Sequence, residues 1–261
     1  MINPKLLFLP VLFCYMKSIA QPQPLPSSVY EWKMMPVEKS GGVERRHYFN
    51  WPTKTLQNFE IEVIDIQSEN NRKITEIASD TEKLILVKNG TLSLSSQQGD
   101  QILSARSIAL VHPGEKLSIY NAGKSPTSFF LIQWKIETFS EYRPRSSGKS
   151  IQVFDYQKLD YKENPKGGRR NVMEAATQTL HELEMHITTL LEGEKSHDPH
   201  VHPDEEIIVV LQGEVEEMIN GTPYRLGPGS VIFLSSMDPH GIRNVGKGAC
   251  EYYAIRWTVK D

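Results

Sequence analysis

Four residues in the last third of the chain have the types and spacing to hold a metal ion. His200 and His202 stand two apart, and Glu206 follows at the same parity, just before the apolar run Ile207 to Leu211. On a strand, residues two apart point to one face, so these three side chains are expected on a common face. His240 comes after a second apolar run, Ser230 to Leu234, and a Pro-containing turn. Three imidazoles and one carboxylate brought to one point suit a divalent transition metal, Mn, Fe, Ni, Cu or Zn, better than Ca or Mg. Such a set binds with neutral imidazoles and an ionised carboxylate, so affinity should fall as pH drops. It also leaves one or two coordination positions for water or a small ligand. No Ser–His–Asp set, phosphate loop or dinucleotide fingerprint is present, and no catalytic acid or base is assigned.

The stretch resembles the cupin family. The first cupin motif is a glycine, then His-x-His, a Glu three or four residues on, and a closing Gly; Gly193, His200, His202, Glu206 and Gly213 follow it with a spacer one residue long of the usual. The second motif ends in a His and an Asn, met here by His240 and Asn244, although Gly227-Pro228-Gly229 replaces the usual Pro-x-Gly. The resemblance covers residues 171 to 261 directly. It implies an all-β fold, the double-stranded β-helix or jelly-roll barrel, with His200, His202, Glu206 and His240 as metal ligands. The family contains dioxygenases, decarboxylases, isomerases, hydrolases and non-enzymatic sugar-binding and storage proteins, so it does not choose a reaction.

The elements that must position these ligands are short strands. Sixteen Pro and seventeen Gly separate short apolar runs, which favours many strands and turns over long helices. Residues 59–66, 83–89, 107–111 and 128–134 read as strands in the first half. That half repeats in the second: Gly90 against Gly213, Asn121-Ala-Gly123 against Asn244-Val-Gly246, and Trp134 against Trp257 all share an offset of 123 positions. The chain is therefore expected to be a bicupin, two tandem barrels. Carried back by that offset, His200, His202, Glu206 and His240 fall on Ile77, Ser79, Lys83 and Leu117. The first barrel is thus expected to have lost its metal, and its His47 and His112 to be surface or turn residues.

The expected division is a signal peptide over 1–20, an extended arm over 21–46, a degenerate barrel over 47–140, a linker over 141–170 and a metal-binding barrel over 171–261. Short edge strands are expected near Val29 and Val153. The polar linker holds Arg143, Arg145 and Lys149. The leader reading rests on Lys5, an apolar core of about eleven residues, and Ser18-Ile19-Ala20 as a cleavage site. That core is too short to span a bilayer, and Phe13 before Cys14 does not suit lipoprotein cleavage. The mature protein is expected to be secreted or periplasmic, without a stable membrane anchor. Cleavage would leave Cys250 alone, with no intramolecular disulfide.

With 29 Lys and Arg against 32 Asp and Glu, the net charge is −3 and gives no electrostatic case for nucleic acid. The expected partner is a small molecule, and a homodimer is left open. His186, on a run where Glu184, His186 and Thr188 share one face, could lie beside the metal or face outward. Arg169 and Arg170, after two glycines, are candidates for an anionic substrate at the rim, or a solvated pair. Two functions follow: a metalloenzyme acting on a small polar or anionic metabolite, or a binding bicupin for a sugar or carboxylate. An inward acid or base near the open metal position would favour the enzyme.

Overall fold

In the computed structural model, residues 22–67, 74–76, 80–137 and 151–259 are described. The expected leader, Ile77 and Ser79, and the linker residues Arg143, Arg145 and Lys149 lie outside them. The first half carries β1 (Ser28–Tyr30), β2 (Glu38–Ser40), β3 (Val43–Trp51), β4 (Asn58–Ile66), β5 (Ile74–Glu76) and β6 (Glu82–Asn89). It continues with β7 (Thr91–Ser96), β8 (Gly99–Ser104), β9 (Ile108–Val111), β10 (Leu117–Asn121) and β11 (Thr127–Lys135). The second half repeats the order as β12 (Ile151–Phe154), β13 (Tyr161–Asn164), β14 (Gly167–Ala175), β15 (Glu182–Leu190) and β16 (Glu205–Gln212). It closes with β17 (Val215–Ile219), β18 (Thr222–Leu226), β19 (Val231–Leu234), β20 (His240–Asn244) and β21 (Cys250–Thr258).

Each half builds a barrel from a large and a small antiparallel sheet. The large sheets run β12-β9-β6-β11-β4-β3-β2 and β1-β19-β16-β21-β15-β14-β13. The smaller ones are β5-β10-β7-β8 and β18-β17-β20. One edge strand of each large sheet comes from the other half. β1 pairs with β19 of the second barrel, and β12 pairs with β9 of the first. The arm and linker expected over 21–46 and 141–170 therefore carry these exchanged strands, together with β2, the start of β3, β13 and the start of β14. Three- and four-residue strands have too little periodicity to reveal their partners in sequence.

Alternation along the large-sheet strands sorts side chains into three cores. On β16, Ile208 and Val210 fill the second barrel, while Ile207 and Val209 enter a core shared between the barrels. On β6, Ile85 and Val87 fill the first barrel, and Leu84 and Leu86 join the shared core. A strand buried on both faces reads as a continuous apolar run, which is what Ile207 to Leu211 shows.

Two reciprocal clamps lock this shared face. The Glu205 carboxylate accepts from Thr53 Oγ1 at 2.6 Å, the Lys54 amide at 2.9 Å, the Thr55 amide at 3.2 Å and the Thr55 hydroxyl. Glu82 does the same for Thr177, Gln178 and Thr179 of the second half. Trp257 donates to Thr55 and Trp134 to Thr179, so the repeated tryptophans complete the pseudo-symmetric pair. His112 is buried, its Nδ1 2.6 Å from Glu82, and is not the surface or turn residue expected from the sequence. His47 is half exposed on β3, near Glu62.

Other repeated landmarks have local causes. Gly213 has φ +75°, and a Cβ there would stand 2.8 Å from the Cα of buried Cys250. Asn244 donates to the Leu190 and Gly248 carbonyls and accepts from the Gly246 amide, fastening a hairpin to its neighbour. Asn121 makes the equivalent bonds around Gly123.

Candidate metal centre

The four candidate ligands converge at one end of the second barrel. Ligand atoms of His200, His202 and His240 lie within 4.8 Å of one another. Glu206 Oε2 is 3.1 Å from His202 Nε2 and 3.6 Å from His240 Nε2. Shared strand parity is not what aligns the two leading histidines. His200 and His202 precede β16 in a loop, and His200 is held by a two-way backbone bridge to His240, both N–H to O distances being 3.0 Å. Pro199 and Pro203 flank the pair and limit regular strand there. Glu206 is on β16 and His240 opens β20.

The rings are aimed by backbone carbonyls. His202 Nδ1 contacts the Asp204 carbonyl at 3.1 Å, and His240 Nδ1 the Asp238 carbonyl at 2.8 Å. A carbonyl only accepts, so each Nδ1 carries the hydrogen and each Nε2 turns its lone pair toward Glu206. Lone pair then faces carboxylate, an arrangement that is attractive only with a cation between them. His240 Nε2 is buried without a hydrogen-bond partner. This orphaned donor atom, in a set of three imidazoles and a carboxylate, fits a divalent transition metal. Bonds of about 2.0–2.1 Å would need nitrogen pairs no more than about 4.2 Å apart, so the rings need close only slightly.

The electrostatics favour a ready ligand set. With no metal bound, an imidazole that takes a proton on Nε2 can donate it to Glu206: burial pushes the Glu206 carboxyl up, but such hydrogen bonds and the charge of protonated His202 and His240 outweigh it and hold it at about 2. His200 is pushed down by burial and the neighbouring imidazoles. His202 is raised, chiefly by its hydrogen bond to Glu206. The exchanged strand supports the centre as well. Ser27, just before β1, accepts from the Ser235 amide and donates to Asp238, the residue whose carbonyl orients His240.

Residues 186–256 match the family description "Cupin domain". The protein Ylba from E. coli superposes with a TM-score of 0.69 at 14% identity, covering 90% of this chain and 92% of that one. The Lactobacillus farciminis oxalate decarboxylase formate complex gives 0.70 at 11% identity, covering 92% and 88%. Residues 186–256 thus carry a cupin domain, and the two-barrel fold is shared with these solved structures. A stretch of 45 residues is 49% identical to dimethylsulfoniopropionate lyase DddQ from Ruegeria pomeroyi, spanning 17% of the chain and 22% of that relative. The chain thus matches under a quarter of the length of that curated protein.

The cupin centre opens into a cavity of about 270 Å³. His186 and Glu184 of β15 line it, which settles their inward direction, while Met185 and Ile187 enter the shared core. Glu184 accepts from Arg169 and Arg256 and contacts His186 Nδ1 at 2.8 Å. Burial pushes the Glu184 carboxyl up, but His186 and the two guanidiniums prevail and lower it. Arg169 thus reaches the rim, already paired. Arg170 does not line the cavity: it bonds the Leu159 carbonyl at 2.6 Å and stacks on Tyr156 and Tyr161. Successive strand residues face opposite ways, so the pair divides.

Glu217, Tyr252, Ser196 and Arg256 also line the cavity and were not singled out in the sequence. Burial raises the Tyr252 hydroxyl, which bonds to Ser196 and Thr188. The parity of Glu217 with buried Val215 and Ile219 was the available signal. In the first barrel, Leu117 lies in the apolar core at the His240 position, and the Lys83 ammonium donates to Thr81 at the Glu206 position.

Proposed function

We propose that this cupin is an exported metalloenzyme acting on a small polar or anionic metabolite at the His200, His202, Glu206 and His240 centre. The observation that carries the reading is the buried, unpartnered His240 Nε2, aimed with the other ligands into a cavity that also holds titratable groups. A passive binding barrel needs no acid or base beside its metal. Here His186 and Tyr252 share the cavity. The names of two similar proteins concern small carboxylates, dimethylsulfoniopropionate and formate, which supports a ligand of that size and charge. Export is supported by the Ser18-Ile19-Ala20 pattern after an apolar run.

When bound, the metal supplies a Lewis acid that polarises an oxygen function or acidifies a bound water. The chain's own residues do the rest. The Asp204 and Asp238 carbonyls fix the ring tautomers. Ile208, Leu234, Ile242 and Ala254 supply the apolar part of the cavity wall. The Arg169–Glu184–Arg256 network places fixed charge around Glu184 beside the cavity, where it can orient an anion.

The test is elemental analysis of the purified protein, followed by a screen of the metal-loaded form against small carboxylates for consumption and for thermal shift. One bound transition metal and turnover lost in His200→Ala/His202→Ala are expected. Binding without turnover would instead identify a carboxylate-binding protein, and no metal would end the reading.

A further inference from the structure

Glu217 lies on β17 between Val215 and Ile219, on a face that points into the second barrel. Its relative exposure is 1%, and both carboxyl oxygens are buried without a hydrogen-bond partner. Leaving such a group unpaired in an apolar wall is costly, and folded proteins rarely do so without a use for it. The group lines the same cavity as the four ligands.

Strand register sets its depth. Ile219 pairs with His240, and Glu217 pairs with Ile242. Glu217 is therefore two residues further into the barrel than His240, a rise of about 6.8 Å. Ile208, Leu234 and Ile242 form the apolar part of the same cavity wall. Glu206 and Glu217 thus stand in one cavity in opposite surroundings. Imidazoles hold Glu206 ionised, whereas burial and the Glu206 charge raise the Glu217 carboxyl well above the ordinary range, against a smaller pull from the Gly241 amide. A neutral carboxyl can donate through its O–H to an oxygen acceptor.

We propose that Glu217 is the second point of attachment for the ligand: one oxygen function meets the metal centre, and another, a few carbons away, hydrogen-bonds the Glu217 carboxyl across the apolar wall. The ligand class is a small metabolite with two oxygen functions, such as a short dicarboxylate or hydroxy acid. This rests on the metal-centre reading and adds the shape of its substrate. Glu217 is a specificity residue, since it meets the end of the ligand remote from the metal.

The experiment uses the full chain loaded with Mn²⁺, with succinate and propionate as probes in calorimetric titrations. Glu217→Gln keeps an N–H donor, and Glu217→Leu removes hydrogen bonding at similar volume. The wild type should bind succinate about tenfold or more tighter than propionate, the value of one charge-assisted hydrogen bond. Glu217→Gln should keep most of that preference. Glu217→Leu should bind the two alike, while holding metal normally and melting no lower than wild type, because an unpaired buried carboxyl has been removed. Equal binding of both probes by wild type, or a preference unchanged in Glu217→Leu, overturns the proposal while leaving the metal centre standing. A wild type that takes up no metal overturns both, and metal content separates these outcomes.

Discussion

Replacing Glu205 by alanine separates what holds the barrels together from what holds the metal. Glu205 and Glu206 are neighbours on β16 facing opposite ways, one into the shared core and one into the metal cavity. The Glu205 carboxylate, at 0% exposure, accepts from two amides and two hydroxyls of the 53–55 loop. Removing it leaves four donors without their acceptor, one on buried Thr53 and three in part-buried bonds from Lys54 and Thr55. A hydrogen bond to a charged group contributes about 1.5–3 kcal/mol, but four bonds at one carboxylate are not additive. A donor left unsatisfied where it is buried costs about 1–3 kcal/mol. We expect Glu205→Ala to lose about 4 kcal/mol, which for a chain of this size lowers Tm by about 8–16 °C. Glu205→Gln, which keeps the volume and one acceptor, should lose about half as much. Glu206→Ala should lose less than Glu205→Ala in the metal-free protein, because it takes no part in the clamp. Urea and thermal unfolding of the chelated proteins, followed by circular dichroism, read these differences. A Glu205→Ala loss under about 1 kcal/mol, or equal losses for the two alanine variants, would refute the division of labour along β16.

Metal titration should saturate at one equivalent, because Lys83 and Leu117 replace ligand positions in the first barrel; a second equivalent surviving His200→Ala/His202→Ala would count against this. His240→Ala should sharply weaken metal retention, and Glu206→Gln should weaken it mainly through lost charge, both with near-native circular dichroism. Metal affinity should fall with acid and begin to do so above the ordinary imidazole value near 6.5. The sign follows from His202, whose raised pKa lets a proton compete at higher pH than for a free imidazole, whereas Glu206, held at about 2, stays ionised throughout. Isothermal titration between pH 5 and 8 checks it, and a flat profile contradicts it. Gly213→Ala should destabilise by about 1–3 kcal/mol, since φ +75° and the approach of Cys250 both oppose a Cβ. Mass spectrometry of exported protein should find a mature start at Gln21; an intact Met1 would refute cleavage.

The sequence alone singled out the four candidate ligands and the doubled barrel. Metal ligation needs particular side chains, and His200, His202, Glu206 and His240 cannot be disguised by composition. Duplication leaves its offset wherever backbone geometry demands one residue, as at Gly90 and Gly213 or Asn121 and Asn244. Periodicity also located the long strands, because each must alternate between a barrel interior and the shared core. Tertiary structure alone decided the rest. Exchange of β1 and β12 joins short segments to strands far away in sequence, and the choice of partner is made by sheet edges that exist only after folding. His112 and Glu82 read as polar residues until the two halves bury them together. Arg169 and Arg170 are equal in sequence, yet the pleat sends one to the cavity rim and the other onto two tyrosines. Glu217 carries no motif: its parity with Val215 and Ile219 hints at an inward face, but not that this face meets the cavity beside the candidate ligands. That placement is made by the strands that surround it.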